Sequence, residues 1–196
     1  MFYIIHQGEG IKTPIDKLLR PRVVEAVSAT APTKAIKEER LTDTQSKARK
    51  YQMRQQSSAR KPAIFARQIM ASPVIGVTTG QLLSELWAVF TENSVHHLPV
   101  FDQGKKLQGI VSDRDLLRFE ANSNRNTNRY PVSQIMTREV VCAAESTEIR
   151  TLAEVMCRQA IGAVLIIDDE IDVTGIVTRT DILRAVVHQA PLELWT

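Results

Sequence analysis

Two nine-residue stretches, GIVSDRDLL at 109–117 and GIVTRTDIL at 175–183, each place a hydroxyl three residues ahead of a carboxylate: Ser112 with Asp115, and Thr178 with Asp181. At the start of a helix such a pair has defined chemistry. The hydroxyl can cap the helix or meet an anionic oxygen, while the free backbone N–H groups of that turn attract negative charge. An ionised aspartate only accepts hydrogen bonds, so it suits a ligand that presents hydroxyls and cannot hold a bare phosphate. Cations stand close by in the sequence. Arg114 and Arg179 lie inside the two stretches, and His96 and His97 precede the first. The aspartates also favour a helix N-terminus on their own account, worth about 0.3–1 kcal/mol, so capping and ligand contact both stay open.

Other chemistries are poorly served. No nucleophile paired with a base and no phosphate-cradling glycine loop of the Walker type is visible, and His96 and His97 lack a third metal ligand nearby. Cys142 and Cys157 match no metal spacing and read as small core residues; so few thiols suit a reducing compartment. Met70 and Met136 read as packing, and Trp87 as a core or dimer contact.

The elements that must position the two stretches come from a repeat. Residues 67–118 align with 133–184 without a gap, with thirteen identities, so RQIMASPVIGV answers SQIMTREVVCA and HLPVFD answers AVLIID. Chance does not hold register over that length. Each unit reads β-α-β-β-α. Early strands are expected at Val74–Val77 and Val140–Ala143, with helical stripes through Leu82, Leu83, Leu86, Val89 and Phe90 and through Ile149, Leu152, Val155 and Met156. Thr79, and Ser146 or Thr147, are plausible caps ahead of those helices. Strands follow at Leu98–Phe101 and Leu107–Val111, and at Ala163–Ile167 and Val173–Val177, before second helices starting near Asp113 and Thr180. A unit of about 50 residues cannot hide both faces of its sheet, so the copies should pair with pseudo-two-fold symmetry.

A unit that begins QIM, passes through HLPV and ends G-I-V-[ST]-x-x-D-[LI]-L resembles the cystathionine-beta-synthase (CBS) domain, and its doubling over about residues 67–188 resembles the tandem pair called a Bateman module. The resemblance implies an α+β fold, a CBS-domain pair, that binds adenosine-containing ligands such as AMP, ADP, ATP or S-adenosylmethionine for a regulatory purpose and signals to a partner protein. It implies a homodimer, with no catalytic residue, no metal and no obligatory cofactor. Carried onto this chain, the ligand-binding set is His97, Ser112, Arg114 and Asp115 with Ile75, and Thr178, Arg179 and Asp181 with Val141. The aspartates would take ribose hydroxyls and the hydroxyls and cations the phosphates. Adenine would lie against Val74 and Ile75 or Val140 and Val141. Gly162 and Ala163 replace the histidines in the second copy, so a highly charged nucleotide is expected first in the pocket of His97 and Asp115.

Outside the repeats, residues 1–28 read as a hairpin, FYIIH and IKTPI around a Gly-Glu-Gly turn at 8–10, followed by an amphipathic fragment. An isolated hairpin is marginal in water and must dock on something. Residues 29–66 read as a basic flexible linker with a transient helix near 38–56. From Lys34 to Arg67 the net charge is +7 within a chain of net +3. Residues 67–120 and 133–188 form the repeats, 121–132 a polar linker and 189–196 a tail. The charged linker also admits a salt-sensitive nucleic-acid contact, although a solvated tether accounts for it as well. A ligand-independent dimerising scaffold is the other alternative. No run of 18 apolar residues and no signal-like start is present, so a soluble cytoplasmic protein is expected.

Overall fold

The computed structural model describes residues 1–19, 64–122 and 129–189. Most of the basic linker with its expected helix, residues 20–28 and the tail from 190 lie outside the described residues.

The chain opens with β1 (Phe2–His6) and β2 (Glu9–Thr13), followed by the short α1 (Ile15–Leu18). The hairpin turn is Gln7–Gly8 rather than the expected Gly8–Gly10. His6 pairs with Glu9, and both turn residues have positive φ, 52° and 82°, as a two-residue turn matched to strand twist requires. The first repeat supplies α2 (Ala66–Ile69), β3 (Val77–Thr78), α3 (Leu83–Glu92), β4 (His97–Phe101), β5 (Leu107–Ser112) and α4 (Asp113–Asn122). A 3-10 turn at Val132–Gln134 leads into the second: β6 (Val140–Ala144), α5 (Ile149–Gln159), β7 (Ala163–Ile167), β8 (Val173–Thr178) and α6 (Arg179–Gln189).

The strands form two sheets, β3-β4-β5 and β2-β1-β6-β7-β8. The hairpin therefore joins the sheet of the second repeat, with β1 pairing antiparallel to β6 so that Ile5 faces Val140 and Phe2 faces Ala143. Ile5 is fully buried in a cluster shared by both sheets, with Leu107, Val140, Cys142, Leu165 and Ile167. Burying such a side chain contributes about 1.5–3 kcal/mol. Phe2 and Leu18 join the core under α5, and Gln159 Nε2 donates to Leu18 O at 2.5 Å.

Three local expectations are corrected. The early strand of the first repeat is only β3, because Pro73 and Gly76 interrupt its start and no neighbour pairs along 74–76. The helices α3 and α5 begin after Leu82 and Glu148 without a side-chain cap. Thr79 and Thr147 are held elsewhere: Thr79 N donates to Phe101 O, and Thr147 Oγ1 donates to Met1 O. Cys142 is core as expected, whereas Cys157 is exposed on α5.

The leading segment of each repeat crosses to the other. Ala66 N donates to Thr147 O at 2.8 Å, Ile149 N to Ile64 O at 2.9 Å, and Ala71 and Ile176 exchange backbone bonds of 2.9 and 3.1 Å. The equivalent positions do the same in return. Val132 N donates to Gln81 O at 2.8 Å, Leu83 N to Tyr130 O at 2.9 Å, and Thr137 and Ile110 exchange bonds of 2.8 and 2.9 Å. Ala66 is accordingly core of the second repeat and Val132 core of the first. The pseudo-two-fold symmetry is thus a reciprocal exchange.

Candidate functional site

Each repeated hydroxyl–carboxylate pair sits where a strand turns into a helix, β5 into α4 and β8 into α6. Ser112 Oγ donates to Asp115 Oδ2 at 2.6 Å, Ser112 N donates to the same oxygen at 2.9 Å, and Asp115 N points back to Ser112 Oγ at 3.3 Å. Thr178 and Asp181 repeat the pattern at 2.6, 2.8 and 3.4 Å. This is a capping box with aspartate in place of the usual glutamate, which satisfies two helix-start donors reciprocally. One carboxylate oxygen is thereby committed. The other, Oδ1, lies 3.9 Å from Arg118 Nη1 in the first copy and 3.3 Å from Arg184 Nη1 in the second. The side chains are 28% and 15% exposed, so neither aspartate is turned into bulk water. Asp181 Oδ1 accepts a hydrogen bond from Arg184 Nη1, whereas Asp115 Oδ1 has only the longer ion-pair contact with Arg118.

The exchange decides which residues share a seam. Thr137, which bonds Ile110, brings Val140 and Val141 of the second repeat to the strand that ends at Ser112. Ala71, which bonds Ile176, brings Val74 and Ile75 of the first repeat to the strand that ends at Thr178. The early segment of each repeat thus lies beside the signature strand of the other. The glycine of each signature makes the crossing possible. A Cβ on Gly109 would lie 2.8 Å from Thr137 O and 2.9 Å from Met136 Sδ; one on Gly175 would collide with Met70 Sδ. Met70 and Met136 do pack at the start of each unit, but onto the opposite copy. Sequence reasoning missed these partners, although both the IM pair and the glycine were visible as repeated letters.

The cations divide unequally. His97 reaches across the pseudo-axis to Gly162, where a Cβ would stand 2.6 Å from its Nε2. Burial, above all, holds its pKa below the ordinary imidazole value. Asp113 and Asp115 push it up, while His96 and Arg179 add to the lowering. At neutral pH His97 is therefore an uncharged imidazole. His96 is exposed, and its Nδ1 lies 2.7 Å from Asp113 Oδ2. Arg114 and Arg179 are not equivalent positions: Asp113 occupies the place that Arg179 takes in the second copy. Arg179 Nε donates to Ile161 O at 3.1 Å, whereas the exposed Arg114 guanidinium has no partner among the described residues. No cluster of three metal-ligating side chains occurs among the described residues.

Comparison with known proteins follows the same lines. The CBS domain family matches residues 66–122 and 132–188. The L-aspartate semialdehyde sulfurtransferase of Methanocaldococcus jannaschii is 30% identical over 125 residues, 64% of this chain and 24% of that protein. The inosine-5'-monophosphate dehydrogenase of the same organism is 33% identical over 119 residues, 61% of this chain and 23% of that one. The chain thus spans about a quarter of the length of these curated relatives. Among solved structures, a CBS domain pair in complex with 5'-methylthioadenosine and S-adenosyl-L-methionine matches with a TM-score of 0.60 and 29% identity, covering 65% of this chain and 98% of that one.

Proposed function

Because this chain belongs to the CBS domain family, we propose that it is a regulatory module binding an adenosyl compound, AMP, ADP, ATP or S-adenosylmethionine, at a seam between its two repeats. The observation that carries this is the repeated hydroxyl–carboxylate pair at the starts of α4 and α6. Oδ2 of each aspartate fixes the helix start, while Oδ1, 3.9 Å from Arg118 in the first copy and accepting from Arg184 at 3.3 Å in the second, has acceptor capacity left for vicinal ribose hydroxyls beside the first-turn amides of the same helix. Ser112, Arg114 and Asp115 with His97 and Val141, and Thr178, Arg179 and Asp181 with Ile75, are the residues proposed to line the seams. The related pair with 5'-methylthioadenosine and S-adenosyl-L-methionine supports the ligand class.

A ligand that touches both repeats favours the arrangement in which they close, and this differential affinity is the signal handed to a partner protein. Exposed Leu117, Leu183, Val186 and Val187 on α4 and α6 support association with a second copy. No helix among the described residues is long and apolar enough to cross a membrane, in keeping with action in the cytoplasm. No obligatory cofactor and no catalytic residue are assigned.

The capping boxes also favour a second reading, a scaffold in which the aspartates only hold helices. Calorimetric titration of the full chain with AMP, ATP and S-adenosylmethionine separates the two. Binding that is lost when Asp115→Ala and Asp181→Ala are combined supports the sensor. Absence of binding, or binding indifferent to both changes in a folded protein, leaves the scaffold.

A further inference from the structure

Resting on that adenosyl-binding reading, we propose that one ligand seat per chain is open, the seam of Asp181, and that the chain's own N-terminal strand closes the equivalent seat at Asp115. The two seams are built alike except for what lies on the early strand. In the second repeat, β1 runs antiparallel along β6 and pairs Ile5, Ile4, Tyr3 and Phe2 with Val140, Val141, Cys142 and Ala143. That ladder takes up backbone donors and acceptors along the segment that would face a base at the Asp115 seam. Val140 is only 3% exposed and Cys142 is fully buried. The equivalent stretch of the first repeat carries no such ladder, although Val74 is partly buried and Val141, the counterpart of Ile75, is itself only partly buried. Ile75 is 40% exposed, Gly76 is exposed, and β3 is an edge strand whose only sheet neighbour is β4.

The covering strand is built in, with anchors on both repeats. Phe2 and Ile5 are buried in two different core clusters. The hairpin turn at Gly8 lies against Lys106 and Gln108 of the first repeat, and Gly10 lies against Ile171 of the second. A wall held on both copies does not open with the thermal motion of a terminus. Counting cations in the sequence favours the seam of His97 and Asp115, but His97 is uncharged at neutral pH and turned toward Gly162. At the Asp181 seam the open apolar edge, the hydroxyl–carboxylate pair and Arg184 coincide.

The test uses the full chain. Calorimetry with AMP, ATP and S-adenosylmethionine is expected to give one ligand per chain for the compound that binds. Photolabelling with 8-azidoadenosine mono- and triphosphate, followed by peptide mapping, is expected to mark the segment Ala71–Val77. Ile75→Asp, at an exposed position that tolerates the change, is expected to weaken binding roughly tenfold or more by setting a carboxylate against the base. Two ligands per chain, label in Thr137–Ala143, or unchanged affinity of the Ile75→Asp protein overturns the closure while leaving the binding reading intact. No binding by any of the three compounds overturns both.

Discussion

Replacing the signature glycines one at a time tests the reciprocal exchange directly. If each repeat were self-contained, Gly175→Ala in strand β8 would be neutral or stabilising, since alanine in a strand is favoured over glycine by roughly 0.5–1 kcal/mol. The exchange predicts the opposite. The new Cβ would collide with Met70 Sδ and meet its Cγ at 2.8 Å and Cβ at 3.0 Å, against an ordinary carbon contact of about 3.5–4.0 Å. Met70 can swing its thioether away, so the net cost should be about 1–2 kcal/mol, within the range for overpacking. Gly109→Ala should cost more, about 2–3 kcal/mol. Its Cβ meets Thr137 O at 2.8 Å, and that carbonyl is fixed by the 2.9 Å bond it accepts from Ile110 N. Urea unfolding of the single and double variants reads both numbers. Met70→Ala should recover most of the Gly175→Ala loss, a coupling of about 1 kcal/mol. Met136→Ala should recover little at Gly109, where backbone is in the way. A Gly175→Ala protein as stable as the original, or a Gly175→Ala loss that Met70→Ala leaves untouched, would refute the crossing.

Three further outcomes follow from the geometry. His97 has a folded pKa below its ordinary 6.5, so the unfolded chain binds the extra proton first. Stability should be level above about 6.5 and fall as pH drops toward the folded value, and His97→Gln should flatten that slope in urea titrations from neutral to mildly acidic pH. Ser112→Ala and Thr178→Ala should each lower stability by about 0.5–2 kcal/mol, and by similar amounts, because the two capping boxes are alike; a cost confined to one of them would contradict the geometry. In the native protein an aromatic disulfide reagent should titrate Cys157 alone, with Cys142 reacting only after denaturation, because burial pushes its thiol up to about 12.

What the sequence made legible, and what it hid, divides along a physical line. The repeat, its β-α-β-β-α order and most element limits were readable to within a residue or two, because β-branched runs and helical stripes are local signals. The crossing was not, for a reason that duplication itself imposes. Met70 and Met136 carry the same letter, as do Gly109 and Gly175, so a contact made within a copy and one made between copies leave the same trace. The hairpin had the same difficulty: FYIIH announces a strand needing partners on both edges, but two early strands were on offer. The deciding signal was present in the acceptors. VVCAA is an uninterrupted strand former, whereas Pro73 and Gly76 break up SPVIGV, so only β6 could serve as a long ladder.

The differences between copies gain meaning only in pairs, and this bears on how the seams diverged. Gly162 taken alone is a weak position at the start of β7, and His97 taken alone is a candidate cation. Set together they are one fitted contact, since any side chain at 162 would collide with the imidazole at 2.6 Å. The same holds for Asp113 and Arg179, equivalent positions of opposite charge that pull the pKa of His97 in opposite directions. The two copies differ in the same paired way around their early strands, since β1 pairs along β6 while 74–76 carries no ladder, and the partly buried ring of His97 fills the space that Gly162 leaves.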